Sequence, residues 1–225
     1  MNERQFLITE DGSHTLFLPE LNETYHSVRG AIQESNYVFI EQGLKYYLDE
    51  NKPGKIEVFE VGFGTGLNAL LSALFAKKHR ISMVYSSIES FPLNYDEIQK
   101  LNYIDLINDA AAPELFGKIH EAEWDANIGI GSGMEIRKIK DTIQDHHFIN
   151  EFNICFFDAF APSKQPEMWE RDILRKMFEA LKKGGVFVTY CAKGQLKRDL
   201  RSIGFQVQSL PGPPGKMEMV RGIKV

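Results

Sequence analysis

The sequence predicts an α/β fold with a mostly parallel sheet and helices on both faces, and three observations lead to that prediction. From about residue 55 onward, apolar stretches alternate with stretches of helical period. The segment FNICFFDAF, residues 152–160, is apolar almost throughout, which is typical of a strand in the middle of a parallel sheet. Three closely spaced glycines separate the first strand from the first helix. Repeated strand–helix units of this kind build a parallel sheet covered on both sides.

The predicted elements follow one another in a regular order. Strands are predicted at 55–61, 81–89, 134–140, 152–160 and 185–192. Helices are predicted at 67–78, 91–101, 169–183 and 193–204, the second opened by Pro92 and the third ending in lysines followed by glycines. The segments 204–210 and 216–225 predict an antiparallel C-terminal hairpin.

The first 50 residues do not follow this alternation. QFLITEDGSHTLFL, residues 5–18, predicts a β-hairpin that turns at Asp11-Gly12, and the stretch after it is polar with scattered aromatic residues. We therefore expect residues 1–50 to be an N-terminal extension that covers part of the ligand edge of the sheet. Residues 51–225 are expected to form the α/β unit, and the whole chain to form a single domain.

Composition restricts the class of protein further. The chain is 43% hydrophobic and 25% charged, as in ordinary soluble proteins, and its first residues lack the pattern of a signal peptide. We therefore expect a cytoplasmic protein that does not associate with membranes. Cys155 and Cys191 lie in apolar runs and are expected to be buried thiols. His146-His147 has no further ligands at metal-binding spacing, so no metal site is predicted.

The glycines belong to EVGFGTGLN, residues 60–68, and stand at Gly62, Gly64 and Gly66. In open α/β sheets, ligands lie at the carboxyl ends of the strands, where glycines let backbone N–H groups approach them. A phosphate-binding P-loop would require Gly-Lys-Ser/Thr, whereas Leu67 and Asn68 follow here. The sequence therefore excludes that class of ligand.

Two ligand classes and a structural alternative remain. Residues 64–69 satisfy the dinucleotide pattern G-x-G-x-x-A, although Glu60 would repel a pyrophosphate. The same carboxylate favours a cationic ligand such as S-adenosylmethionine, and Glu89 ends the next strand where it can accept hydrogen bonds from ribose hydroxyls. Alternatively, the glycines merely ease packing, and both acids are surface residues. We predict that the cofactor is S-adenosylmethionine; an NAD-linked oxidoreductase and a non-catalytic binding protein are the alternatives. The residues predicted to bind it here are Glu60, Gly62, Gly64, Gly66, Asn68 and Glu89.

Four segments together resemble the methyltransferase half of the MnmC-type enzymes that modify the wobble uridine of tRNA. They are EVGFGTGLN (60–68), IESFPL (88–93), FFDAFAPSKQPEMW (156–169) and PGPPGKMEMVRG (211–222), and the resemblance extends over nearly the whole chain. It implies a class I methyltransferase (Rossmann-like) fold and S-adenosylmethionine as the only cofactor. The implied reaction is methylation of the amine of 5-aminomethyl-(2-thio)uridine in the anticodon region of tRNA. Another amine or another RNA is the alternative substrate.

Bifunctional members of that family contain a second, FAD-dependent oxidase domain. The present chain resembles the stand-alone methyltransferase, because 225 residues leave no room for such a domain. The resemblance therefore implies that no FAD is bound and that a separate enzyme supplies the aminomethyl precursor.

The resemblance also directs attention to particular side chains. Asp158 ends the fourth core strand, where it could orient the amine and accept a proton, with Phe160 as an aromatic wall. The alternative is that Asp158 bonds only within its own loop. Asp141 is predicted either to contact adenine or to cap a helix at 141–148. By resemblance alone, Gln42 is expected to close over the cofactor.

The C-terminal part of the chain is basic although the net charge of the chain is −5. Several basic residues recur along the predicted helix 193–204, and two more flank the PGPPG turn. Such a stripe is either a solvated face or a phosphate-binding surface, and the implied substrate favours the second. The predicted tRNA contacts are Lys193, Lys197, Arg198, Arg201, Lys216 and Arg221.

Overall fold

The computed structural model describes residues 4–225. Within them, an eight-stranded sheet has the order β10-β11-β9-β8-β4-β5-β7-β6. Its five central strands, from β9 to β7, are parallel, whereas β6, β11 and β10 are each antiparallel to a neighbour. The strands of this sheet are β4 Lys55–Val61, β5 Ser82–Ile88, β6 Asn127–Gly131, β7 Met134–Ile139, β8 Phe152–Phe157, β9 Leu181–Thr189, β10 Phe205–Pro211 and β11 Glu218–Lys224.

A second, three-stranded sheet forms near the N-terminus. Its strands are β1 Gln5–Ile8, β2 His14–Leu18 and β3 Glu23–Thr24. β1 and β2 pair antiparallel around the Asp11-Gly12 turn, and β10 pairs antiparallel with β11. The predictions of an α/β fold, an N-terminal hairpin and a C-terminal hairpin are therefore confirmed.

Helices cover both faces of the large sheet. The α-helices are α1 Ala31–Ser35, α2 Tyr46–Asn51, α3 Leu67–His79, α4 Tyr95–Gln99, α5 Tyr103–Leu106, α6 Ala112–Glu121, α7 Arg171–Ala180 and α8 Gly194–Ile203. A π-helix, Asn36–Lys45, joins α1 to α2. One apolar cluster packs α3, α6 and the π-helix against the sheet, and another packs α7 and α8 against it. Consecutive β4 residues contribute to opposite clusters, Val58 to the first and Phe59 to the second, because side chains alternate along a strand.

Three predicted helices differ from the structure. The helix at 169–183 ends at Ala180, because Leu181 is extended and pairs with Phe152 before a shift in register. The helix at 91–101 is limited to α4 and is opened by a capping box from Asn94 rather than by Pro92. In place of a helix at 141–148 there is one short 3₁₀ turn, Ile143–Asp145.

The predicted boundary near residue 50 stays a prediction. Val38, Phe39 and Leu44 of the π-helix are buried in the same apolar cluster as the strands of the large sheet. The Phe39 ring lies 5.1 Å from that of Phe156 on β8. Residues 31–51 thus pack as part of the main core. The three-stranded sheet lies earlier in the chain, within residues 5–24.

Candidate active site

A crevice of about 300 Å³ lies at the carboxyl ends of β4, β5 and β8. That volume is at the lower end of the range for small-molecule sites. The strand-end loops line it from one side, and residues 4–26 contribute to the other. Seven residues predicted from the sequence line it: Gly62, Gly64, Asn68, Glu89, Asp141, Asp158 and Phe160.

The glycine loop is shaped by close contacts of the backbone. A Cβ atom at Gly62 would lie 2.7 Å from the carbonyl oxygen of Asp158, and its φ of +93° disfavours any other residue. Gly66 does not line the crevice; its missing Cβ instead makes room for the His120 ring of α6. Packing therefore explains Gly66, while Gly62 and Gly64 face the crevice.

Glu89 is held in place by the backbone. Its Oε2 atom accepts a hydrogen bond from the N–H of Gly64 at 3.0 Å, and its Oε1 atom accepts one from the N–H of Phe91 at 2.8 Å. A carboxylate can accept about four hydrogen bonds, so two accepting positions remain for a ligand hydroxyl pair. The position and orientation of Glu89 suit a ribose.

Glu60 occupies a different position from the one predicted. It is fully buried, is absent from the crevice wall and accepts hydrogen bonds from Asn68 at 3.0 Å and Ser87 at 2.6 Å. Burial raises the pKa of Glu60 to about 8, so the group is mostly neutral at physiological pH. The structure therefore corrects the prediction that Glu60 faces a cationic ligand. The Glu60 side chain is buried, and the amide of Asn68 lies between it and Asp158, which does line the crevice.

Asp158 lies in the crevice and is held by the same amide. The side-chain nitrogen of Asn68 donates to Oδ2 of Asp158 at 2.9 Å as well as to Glu60. Burial raises the pKa of Asp158 to about 7. The carboxyl group is therefore able to gain or lose a proton near neutrality, as a general base requires. Because Asn68 is in α3, Asp158 is not bonded only within its own loop.

Phe160 forms one wall together with a residue that sequence reasoning missed. The Phe160 and Tyr25 rings meet edge to face with centroids 5.1 Å apart. The Tyr25 hydroxyl accepts a hydrogen bond from Arg4 at 2.9 Å, and Arg4 also pairs with Glu97 on α4. These bonds hold the N-terminal segment against the crevice. Aromatic residues in 22–42 were visible in the sequence, but nothing there showed which ring would reach the site.

The N-terminal segment also holds the glycine loop from behind. Nε2 of the buried His26 lies 2.8 Å from Oγ1 of Thr65, which also accepts a hydrogen bond from Tyr103 at 3.2 Å. Burial lowers the pKa of His26 to about 4, so the imidazole is neutral at physiological pH. The network fixes Thr65, which lies between Gly64 and Gly66 of the loop.

Two predicted cofactor contacts have different outcomes. Asp141 lines the crevice, where it bonds the Thr142 N–H at 2.8 Å and His146 at 3.0 Å; the helix it was alternatively expected to cap is not formed. Gln42 does not line the crevice. Its backbone and side-chain oxygens both lie 3.2 Å from Arg221, because the π-helix directs residue 42 toward β11.

The predicted basic surface divides into two groups. Arg221 is only 7% exposed and stacks over the Tyr46 ring at 3.4 Å, so its role is corrected to one in packing. Lys197 pairs with Glu218 at 2.7 Å, and Lys216 pairs with Glu34 beneath the hairpin turn. The members whose side chains are exposed are Lys193, Arg198 and Arg201.

Residues 4–225 contain neither a cluster of metal-ligating side chains nor a membrane-spanning helix. No group of three or more His, Cys, Asp or Glu side chains in this part of the chain could hold a metal ion. Nor does any helix described there have the length and apolar character needed to cross a membrane.

A parallel sheet with a glycine loop after its central strand and an acid after the next strand defines an α/β protein with a nucleoside-cofactor site. Residues 112–225 match a family model described as S-adenosyl-L-methionine-dependent methyltransferase. The chain belongs to this family of methyltransferases, and S-adenosylmethionine is its cofactor.

Two relatives of the chain have names that are more specific than the description of the family. The chain is 31% identical, over 90% of its length, to a tRNA 5-methylaminomethyl-2-thiouridine biosynthesis bifunctional protein MnmC from Pseudoalteromonas atlantica, and covers 31% of that protein. The MnmC protein of Actinobacillus pleuropneumoniae is 27% identical over the whole chain, which covers 36% of it. The chain thus spans about a third of these relatives.

Solved structures agree with the fold. The crystal structure of MNMC2 from Aquifex aeolicus superimposes with a TM-score of 0.78 at 25% identity, covering 99% of this chain and 70% of that one. A spermidine synthase from Thermotoga maritima matches with a TM-score of 0.57 at 13% identity, covering 100% of this chain and 72% of that one. This second likeness concerns the fold alone.

Proposed function

We propose that this methyltransferase acts on tRNA and methylates the amine of 5-aminomethyl-(2-thio)uridine at the wobble position, giving 5-methylaminomethyl-(2-thio)uridine. The names of the MnmC relatives support the substrate. The observation on which the reaction depends is the Asp158 carboxyl group, which lies in the crevice with its pKa raised to about 7.

The residues of the crevice fit the cofactor. The main chain of Gly64 is open to the crevice, and a Cβ atom there would lie only 3.2 Å from the Tyr25 ring. The carboxylate of Glu89 is already oriented by two backbone N–H groups. Gly62, Gly64, Asn68 and Glu89 would hold S-adenosylmethionine, with Asp141 beside its base. When bound, the cofactor supplies an electrophilic methyl group on a sulfonium.

Asp158 then determines the state of the substrate amine. Only a neutral amine has the lone pair that forms the new N–C bond as the C–S bond breaks, so the substrate ammonium must lose one proton before the attack. An ionised Asp158 accepts a hydrogen bond from the amine, orients it and takes up that proton. Asn68 keeps the carboxylate in position, and the rings of Phe160 and Tyr25 exclude water from that side.

The anticodon region of tRNA must present a base that has left its stack, because the reaction takes place in a crevice. α8 follows the carboxyl end of β9, so its first residues lie toward the crevice edge of the sheet. Lys193 and Arg198 are exposed there, and Lys164 lines the crevice itself. We propose these side chains, with Arg201, as the phosphate contacts. A separate enzyme would form the aminomethyl precursor in the cytoplasm.

A labelled-methyl assay tests the proposed function. The protein is incubated with S-adenosylmethionine labelled on its methyl group and with tRNA that bears or lacks 5-aminomethyluridine, and the digested nucleosides are analysed by mass spectrometry. Label in methylaminomethyluridine, only with the modified tRNA, is expected. Label in another nucleoside would identify a different RNA substrate. No transfer by a protein that binds S-adenosylhomocysteine would contradict the tRNA proposal.

A further inference from the structure

A second cavity, of about 250 Å³, shares Phe63 and Gly64 of the glycine loop with the crevice but is otherwise lined by different residues. Most of them come from the long connection between the neighbouring strands β5 and β7, which contains α4, α5 and α6. The proposed reaction uses none of the residues that are unique to this cavity. Its lining therefore requires a separate explanation.

One of the residues that line the cavity is a buried lysine. Lys138 on β7 is only 1% exposed, and its Nζ atom donates to the carbonyl oxygen of His120 at 2.8 Å. In the described part of the chain, no carboxylate lies within 4 Å of this nitrogen. Burial lowers the pKa of Lys138 to about 8, so the group is still mostly charged at neutral pH. A buried charge without a counter-charge is costly, and a lysine ammonium has three protons to donate.

The walls around the ammonium are aromatic. Nζ of Lys138 lies 5.0 Å from the Trp124 ring and 5.6 Å from the Phe63 ring. Phe116 and Tyr95 line the cavity as well, the latter with 70% of its surface exposed. These rings offer flat apolar surfaces around one positive charge.

Two further titratable residues of the cavity, His120 and Glu121, restrict the charge that a ligand can carry. His120 lines the cavity, and burial lowers its pKa to about 4, so it adds no charge at neutral pH. Glu121 lies at the exposed rim, and its negative charge disfavours phosphate and other multiply charged anions. A singly charged anion is therefore favoured over a multiply charged one.

We propose that this cavity is a second ligand site, which binds a small monocarboxylate with a flat apolar body. The carboxylate pairs with the ammonium of Lys138, and the body lies among the rings of Phe63, Phe116 and Trp124. Charge-assisted hydrogen bonds of this kind are among the stronger ones in proteins. Because Phe63 and Gly64 line both cavities, the occupant also contacts the loop that holds the methyl donor.

Benzoate and its neutral isostere benzamide provide a direct test. Titrations of the full chain followed by tryptophan fluorescence are expected to give a benzoate Kd at least tenfold lower than that of benzamide. Lys138→Met should remove this difference and, since it eliminates a buried charge, should not lower the melting temperature. Lys118→Met is the matched control, because Lys118 makes only an exposed pair with Glu114 on α6. Equal affinities for the two probes, or full benzoate binding by Lys138→Met, would overturn the site.

The wild-type protein supplies a second measurement that does not depend on the variant folding. Benzoate should shift the amide NMR resonances of Phe63, Phe116, Trp124 and Lys138. Shifts confined to Asp141 and Asp158 would place the probe in the crevice and overturn the proposal.

The shared loop predicts that the two sites are linked. Saturating benzoate is expected to change the Kd for S-adenosylhomocysteine at least twofold, and the cofactor product must then change the benzoate Kd by the same factor. Isothermal titration in both orders measures the two factors. An unchanged cofactor affinity would overturn the link between the sites.

Discussion

The two sides of the crevice are built in different ways. On the sheet side, functional groups directly follow strands β4, β5 and β8, and they are positioned by backbone contacts such as the Gly64 N–H to Glu89 bond. On the N-terminal side, Tyr25 and His26 reach the site through side-chain contacts with Arg4, Phe160 and Thr65. The sheet side therefore has a sequence motif and the N-terminal side has none. We expect substitutions on the sheet side to have the larger effects.

The largest effect is expected at Asp158. Asp158→Asn keeps the shape of the side chain but removes the base, so kcat should fall about 100-fold or more while the Kd for S-adenosylhomocysteine changes little. In the wild type, kcat should rise with pH through about 7, because only the ionised carboxyl group accepts a proton. Stopped assays from pH 5.5 to 8.5 measure this. A variant with near wild-type turnover would remove Asp158 from the mechanism.

Gly62 provides the next largest effect and tests the backbone of the sheet side. Gly62→Ala places a Cβ atom 2.7 Å from the Asp158 carbonyl oxygen at a φ of +93°, and should lower the free energy of unfolding by about 2–3 kcal/mol. Gly117→Ala is the matched control, since a Cβ atom in α6 meets nothing within 4 Å there. The control should be stabilised by about 0.5–1 kcal/mol. Urea unfolding that ranked the two variants equally would contradict the contact.

Tyr25 tests the N-terminal side. Tyr25→Phe keeps the ring against Phe160 but removes the hydrogen bond to Arg4, so the Kd for S-adenosylhomocysteine should rise about 3- to 10-fold, equivalent to one hydrogen bond. Arg29→Met is the control, because Arg29 pairs with Glu10 in an exposed position. Calorimetric titration measures both. If Tyr25→Phe lowered kcat as much as Asp158→Asn, the expected difference between the sheet side and the N-terminal side of the crevice would be wrong.

The smallest effects are expected along α8. The helix starts next to the carboxyl edge of the sheet and extends about 15 Å, so Lys193 lies nearest the crevice edge and Arg201 farthest from it. Reversal to Glu at Lys193, Arg198 and Arg201, one at a time, should raise the KM for tRNA by a few-fold, with the factor falling in that order. Each reversal should also reduce the salt dependence of binding. If the KM for tRNA of all three variants equalled that of the wild type and did not depend on salt, these three residues would form a solvated face instead of a tRNA contact.

Sequence periodicity predicted seven of the eight strands of the large sheet, because strands and helices each repeat a local pattern; β6, Asn127–Gly131, was not predicted. It was less reliable where an element ends. Leu181 has the spacing of a helical residue, yet pairing with Phe152 extends its backbone. Asp141 precedes a segment of helical composition that forms only a 3₁₀ turn. Tertiary pairing competes with local propensity at such positions, and the residues alone do not show which prevails.

The sequence by itself indicated which edge of the sheet contains the crevice, because Gly62, Gly64 and Glu89 directly follow two neighbouring strands and are held there by backbone geometry. Only the tertiary structure decided that Glu60 is buried beneath Asn68, that Arg221 packs on Tyr46, and that Tyr25 and His26 complete the site. Each of these depends on contacts between residues far apart in the chain. Their burial and partners follow from packing, which no local pattern encodes.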